Sequence, residues 1–291
     1  AVGVGMVSPK DTSDVTSAAC RRLVLLPVDS GVLFPECQSS VVVGDESGLD
    51  ALRSIEGEQV QLFGFCTYAE QGEGGFEIEV TGSSSDEDDD MQPLQQVGTM
   101  ALLRSVEFSG GGIFGETATC SVVGVQRFRI IRMEAFDPFP VAQVELFNDE
   151  LRTGGEDELK ALAELETKTT AAAEEVLRLS SRLIEDDNDE DSQTVQDALA
   201  RVRKFAAGGV GTGQTVMSPI GETIGWTLPE LERLELQSFA LADIHDIPEG
   251  DRYALLCDTS TKARLESTCR DFEHAVKELA AKVALSDAGK S

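Results

Sequence analysis

Residues 97–131 read VGTMALLRSVEFSGGGIFGETATCSVVGVQRFRII, and this stretch decides the fold. Met100 to Phe108 and Glu116 to Val125 are rich in β-branched and large apolar residues, the composition of strands. Ser109-Gly110-Gly111-Gly112 interrupts them. Glycine supplies the positive φ of hairpin turns, so the two runs are predicted to form an antiparallel hairpin. Gly124 is expected to mark a bend or bulge in the second strand. In Arg127-Phe128-Arg129-Ile130 the side chains alternate, with Phe128 and Ile130 on one face and both arginines on the other. The arginines are expected on a solvated strand face, paired with nearby carboxylates. Nothing in the stretch supplies catalytic chemistry.

Working outward toward the N-terminus, strands are predicted at Arg22 to Val28, Ser39 to Val43, Gln59 to Ala69 and Phe76 to Val80. Along the third of these, Leu62, Gly64 and Cys66 share one face, and Phe63 and Phe65 the other. Val32-Leu33-Phe34-Pro35 is an apolar turn, and a turn is expected at Gly72 to Gly75. Leu49 to Ile55 reads as a short helix, with Asp45, Glu46 or Ser47 near its start and Gly57 as its stop. Residues 81–90, TGSSSDEDDD, lack the spacing of a calcium loop and read as a self-repelling loop. Toward the C-terminus the composition changes near Asn148. A long amphipathic helix follows Glu156, ending at the acidic run 185–191, and Ser192 caps a shorter one over Val195 to Ala206. Thr227 and Pro229 open another helix, and a terminal helix runs from about Ser260 to Leu285.

These segments resemble the N-terminal domain of Lon proteases. The resemblance rests on Gly98-Thr99, on Gly124-Val125-Gln126-Arg127-Phe128-Arg129-Ile130, and on Leu25-Leu26-Pro27-Val28 followed by Val32-Leu33-Phe34-Pro35. Asp137-Pro138-Phe139-Pro140 leading into Val141, then Ser238-Phe239, Asp258-Thr259 and Arg264-Leu265, continue it in order from Arg21 to Leu285. One departure is Glu36, where the family carries glycine after Phe-Pro. The resemblance implies an α+β fold: a β-rich, PUA-like pseudo-barrel, then a helical subdomain with a long C-terminal helix. It also implies a role without catalysis, the recognition of polypeptide substrates or partner proteins in a groove between sheet and helices. Phe34, Phe63, Phe65 and Phe139 are the candidate groove residues, with core packing as their competing role.

Composition narrows the function further. The chain has 291 residues and a net charge of −29, with 53 acidic against 24 basic residues. Such a chain repels phosphate backbones and anionic membrane surfaces, so nucleic acid is not an expected partner. No apolar run approaches the roughly 20 residues of a membrane span. Six cysteines without a Cys-x-x-Cys pair read as mostly buried thiols in a reducing compartment. Gly208 to Thr215 nearly spells a phosphate loop, but Gln214 stands where lysine must meet the phosphates. His245 and His274 are the only histidines, which disfavours a histidine zinc site. No Gly-x-Ser-x-Gly elbow is present, and neither an ATPase nor a Ser-Lys protease part is recognisable. No cofactor or metal is therefore expected.

The expected organisation is a flexible arm at 1–20 and a β domain at 21–150 with an acidic loop at 81–96. A helical segment at 151–207, a glycine-rich linker at 208–226 and a helical subdomain at 227–286 complete it. The expected function is a stand-alone, non-catalytic protein- or peptide-binding module in protein quality control; the alternative is a structural or assembly subunit of a larger complex, with a plastid complex as one such setting. The start at Ala1 suggests a processed protein of the plastid stroma or mitochondrial matrix, with the cytoplasm as the other compartment.

Overall fold

The computed structural model describes residues 20–58, 61–69, 93–112, 115–150, 156–183, 197, 200, 230–244 and 247–289. The expected N-terminal arm, the turn at 72–75, the strand at 76–80 and the acidic runs at 81–90 and 185–191 lie outside them. So do most of the helix at 195–206, the glycine-rich linker, Thr227, Pro229 and His245.

Six strands form one sheet: β1 (Cys20–Val28), β2 (Gln38–Val43), β3 (Leu62–Thr67), β4 (Val97–Gly112), β5 (Gly115–Ala135) and β6 (Val141–Phe147). Their order is β2-β5-β4-β3-β1-β6, and β5 also pairs with β6. The second pairing closes a ring of β5, β4, β3, β1 and β6, which is the pseudo-barrel, and leaves β2 as an appendage on β5. A single strand serves both purposes because β5 is 21 residues long. Residues Ala118 to Val123 face β2, and Arg127 to Ala135 face β6. Between them the register with β4 jumps from Gly124 to Gln126, a bulge of the kind that bends a strand. The bend expected at Gly124 is thus present. The turn expected at Ser109 to Gly112 is not: β4 runs through those residues and Gly112 pairs with Gly115, so the hairpin reverses further along. The register with β5 shifts between Ser109 and Gly112, where the glycines lie.

Alternation places two cores on the two faces of the sheet. Leu25, Cys66, Met100, Phe128, Ile130 and Val144 form one. Leu26, Leu33, Phe63, Phe65, Leu103 and Val122 form the other, completed by Leu49, Leu52 and Ile55 of helix α1 (Glu46–Glu56). Asp45 caps α1 by accepting a bond from the Gly48 amide at 2.7 Å.

The family motifs are the packing code of this domain. A Cβ on Gly98 would lie 2.5 Å from Phe128 Cζ, and one on Gly124 would collide with the Phe34 carbonyl. Thr99 Oγ1 donates to the Leu33 carbonyl at 2.6 Å, and Glu36 N donates to the Gly124 carbonyl at 2.9 Å. The Gly-Thr, Phe-Pro and Arg-Phe-Arg-Ile segments therefore lock together. Glu36 adopts φ 62°, the left-handed conformation that glycine reaches freely, so the turn keeps its geometry despite the departure.

Among the described residues the helical half has α2 (Glu156–Leu183), α3 (Glu230–Ile244), α4 (Glu249–Cys257) and α5 (Thr261–Gly289). Helix α3 is buried continuously from Arg233 to Ala242. It lies in the middle, with α2 and α5 packed on it and on each other. Helix α4 was not expected; its nine residues are too short for a periodic signal, and Leu256 alone among them is fully buried.

Candidate functional site

Two regions merit attention, one closed and one open. The closed region joins barrel to helices. Arg127, expected on a solvated strand face, is only 1% exposed because α3 and the segment after α4 cover it. Its guanidinium donates to Asp149 at 2.5 Å, to Glu235 at 3.0 Å, and to the carbonyls of Leu256 and Asp258 at 3.0 and 2.7 Å. Arg264 from α5 meets the same Asp149 carboxylate at 2.5 Å, and also donates to Ser238 Oγ and the Asp258 carbonyl. Thr261 Oγ1 donates to Asp149 as well. Both guanidiniums lie over the Phe239 ring, and Arg127 also over Phe147. Arg129, two residues on, stays half-exposed opposite Glu145, as expected of a strand face.

Two cations and two carboxylates buried together are a structural cluster. Burial, followed by the charge of Asp149, raises the pKa of Glu235 against the pull of both arginines. Burial lowers that of Arg264, opposed chiefly by Asp149. Perturbed groups in a cleft are catalytic candidates, but among the described residues these four charges are enclosed by packing. A cavity beside the junction, lined by Leu33, Phe65, Gly98, Tyr253 and Leu256, has a volume of about 10 Å³. That is room for about one water at most. The groove expected between sheet and helices is filled by side chains at this point, including the stacked rings of Phe34 and Phe239, 5.6 Å apart.

The open region is a groove of about 830 Å³ between Pro27–Val32, after β1, and Ser39–Asp45, which is β2 and its exit. That is in the range of ligand-binding clefts. Phe65 and Tyr68 line it from the β3 side, and Arg252 of α4 from the helical side. Burial, then the charges of Asp45 and Asp29, raise the Tyr68 pKa, so both carboxylates bear on this groove. Arg252 is already paired with Asp243 at 2.8 Å and stacks over Phe34.

Of the four aromatic candidates, Phe65 lines this groove but is 4% exposed. Phe34 and Phe63 are fully buried in separate cores, and Phe139 packs half-buried against the core of Phe63 and Phe65. The structure does not bring them together as one surface. The edge of β2 was missed, because Gln38-Ser39-Ser40 carries no side-chain chemistry and strand order is invisible in sequence. Asp149 and Glu235 were missed because acidic residues are everywhere in this chain.

Other chemistry is sparse among the described residues. They contain no cluster of His, Cys, Asp and Glu able to hold a metal. Cys37, Cys66, Cys120 and Cys269 are buried, and burial pushes the Cys66 thiol up to about 12, leaving it protonated and inert. His274 is exposed beside Glu278. No helix among them is long and apolar enough to cross a membrane.

Comparison with known proteins adds the following. The family model of the ATP-dependent protease La (LON) substrate-binding domain matches residues 22–270. Among solved structures, the N-terminal domain of the Mycobacterium avium complex Lon protease is 15% identical, with 87% of this chain and 98% of that one covered at a TM-score of 0.47. The Lon N-terminal domain protein from Xanthomonas campestris is 18% identical, with 85% and 96% covered at a TM-score of 0.42. No curated protein matches the chain.

Proposed function

The chain belongs to the substrate-binding domain family of the ATP-dependent protease La (LON), and on that premise we propose that it recognises polypeptide clients in protein quality control. The family match over residues 22–270 carries this reading. On this reading the domain binds and does no chemistry of its own, in keeping with a charged cluster that serves as packing and with the burial of Cys37, Cys66, Cys120 and Cys269.

The test is fluorescence anisotropy of the purified chain with a labelled, reduced and carboxymethylated protein, against the same protein in its native disulfide-bonded form. Binding of the unfolded form and none of the native form is the expected result. Equal binding of both, or of neither, overturns the reading.

A second reading is favoured by the uncharged open edge of β2: a dedicated subunit whose edge pairs permanently with one neighbour. Affinity purification from native extract at low salt separates the two. A heterogeneous set of unfolded proteins supports client capture, whereas a single stoichiometric partner supports the subunit.

A further inference from the structure

We propose that β2 is a strand-addition site: an extended polypeptide pairs with its open edge, and the preferred segment is apolar at alternate positions with a lysine or arginine facing Asp29 and Asp45. This deepens the polypeptide-binding reading and rests on it.

The first observation is the edge itself. Among the described residues, β2 has β5 as its one neighbour, so a row of backbone N–H and C=O groups along Gln38–Val43 has no strand beside it. Gln38, Ser40 and Val42 are exposed, Val42 by 70%. An edge of this kind invites pairing, and proteins normally blunt it with lysine, proline, bulges or a covering element. Strand β2 contains no lysine, proline or bulge, and no strand among the described residues covers it. Its residues are Gln-Ser-Ser-Val-Val-Val, and its register with β5 runs from Gln38↔Val123 to Val43↔Ala118 without a shift. The chain as a whole is 26% charged, so six consecutive uncharged residues on an exposed edge stand apart from the surface around them.

The second observation is space. The groove of about 830 Å³ runs directly along β2, with Ser39 to Asp45 as one wall and Pro27 to Val32 as the other. An incoming strand lies about 4.8 Å from β2 and places its side chains alternately on the two faces.

The third observation is charge, and it selects the occupant. Asp29 and Asp45 both line this groove and act on Tyr68, while Arg252, the one cation lining it among the described residues, is held by Asp243. A basic side chain therefore gains two carboxylates. A second copy of this chain would bring a charge of −29 against −29, which opposes edge-to-edge self-pairing.

The experiment uses the purified full chain and a fluorescein-labelled octapeptide alternating valine with lysine and threonine. Three further peptides accompany it: one with glutamate for lysine, and two methylated on one or the other alternate set of backbone nitrogens. Strand addition uses only one set of those nitrogens. One methylated peptide should therefore lose at least about tenfold in affinity while the other binds as the parent does. Glutamate for lysine should weaken binding, as should Asp29→Asn with Asp45→Asn, which also flattens the salt dependence and keeps an α1 cap. Val42→Lys, at an exposed position, should weaken the parent peptide by a similar factor while leaving the circular dichroism spectrum unchanged.

If both methylated peptides bind as the parent does, or if Val42→Lys has no effect, the edge is not the site. If the unfolded protein binds but no strand peptide does, the inference falls and the client-binding reading stands. If neither binds, the client-binding reading itself has failed. Dimerisation of the unmodified chain that Val42→Lys abolishes would overturn the proposal in favour of a second copy as occupant.

Discussion

The junction between barrel and helices and the free edge of the barrel invert the usual arrangement of charge. At the junction, Arg127, Arg264, Asp149 and Glu235 are buried, and each meets charged partners of opposite sign. At the edge, β2 is exposed and bears no charge. Protein surfaces ordinarily carry the ions, and interiors exclude them unless they are paired. The contrast teaches that the two regions answer different demands. The junction must hold three segments, near residues 127, 149 and 264, in one relative geometry, and forked guanidinium bonds impose direction where apolar packing alone would not. On the strand-addition proposal the edge must remain available, and a charge guarding it would defeat that.

The junction breaks most readily. Arg264→Met removes one cation and leaves Asp149 with a single guanidinium in a buried site. Deleting one partner of a buried pair costs about 3–5 kcal/mol. Urea unfolding should show that loss as a fall in midpoint with unchanged slope. A loss below about 1 kcal/mol would mean that the cluster is ornament and that Phe239 and its neighbours hold the halves together unaided.

Glu235 sharpens the same point through pH. Its pKa is raised above the ordinary 4.5 by burial and by Asp149, so the folded protein holds its proton more tightly than the unfolded chain does. That contribution to stability is complete below pH 4.5 and is lost as pH rises through the raised folded value. Glu235→Gln does not titrate. The stability of the parent relative to this variant should therefore decline as pH is raised from 4 toward 7, measured by urea unfolding in steps. A difference that grows with pH would show that the arginines outweigh burial at this site.

Much of the fold could be read in the sequence, and the reason is local. Gly98, Thr99, Gly124 and Phe128 are what close packing requires, so the motif and its cause coincide. The barrel strands alternate apolar residues with a period of two, and α2 and α5 carry helical periodicity over 28 and 29 residues. What escaped reading is relational. Arg127 resembles any exposed strand arginine until α3 is laid over it, and which strand ends up beside only one neighbour depends on how β5 divides its length between β2 and β6. Candidate aromatic residues were legible as apolar but not as inward or outward, and one sheet-face core claimed Phe63, Phe65 and Phe139 while Phe34 went to the junction with the helices.

The Phe-Pro-Glu turn tests how far a motif can be breached without changing the fold. Glu36 and its alternatives can be compared at one backbone position, φ 62°. Glu36→Gly and Glu36→Ala both lose the side chain, so their difference isolates the conformation. Alanine meets the left-handed penalty there and glycine does not. The glycine variant should be the more stable by about 1 kcal/mol. That ordering is the reverse of what glycine and alanine show in helices and strands.

The smallest expected effect belongs to the edge, and its smallness is the point. Val42 is 70% exposed, so in the isolated chain Val42→Lys breaks no packing and adds a charge that solvent screens. Stability should stay within about 0.5 kcal/mol of the parent, the range of surface substitutions that touch nothing. On the strand-addition proposal, a residue that contributes this little to folding, on a regular and uncharged strand with one paired edge, acts through a partner outside the monomer. If instead Val42→Lys destabilises the chain by more than about 1 kcal/mol, independent of protein concentration, the edge is internally covered and belongs with the junction as part of the fold. If the loss grows with protein concentration, the covering partner is a second copy. Stability and binding measured on this one variant therefore decide whether the two regions differ in kind.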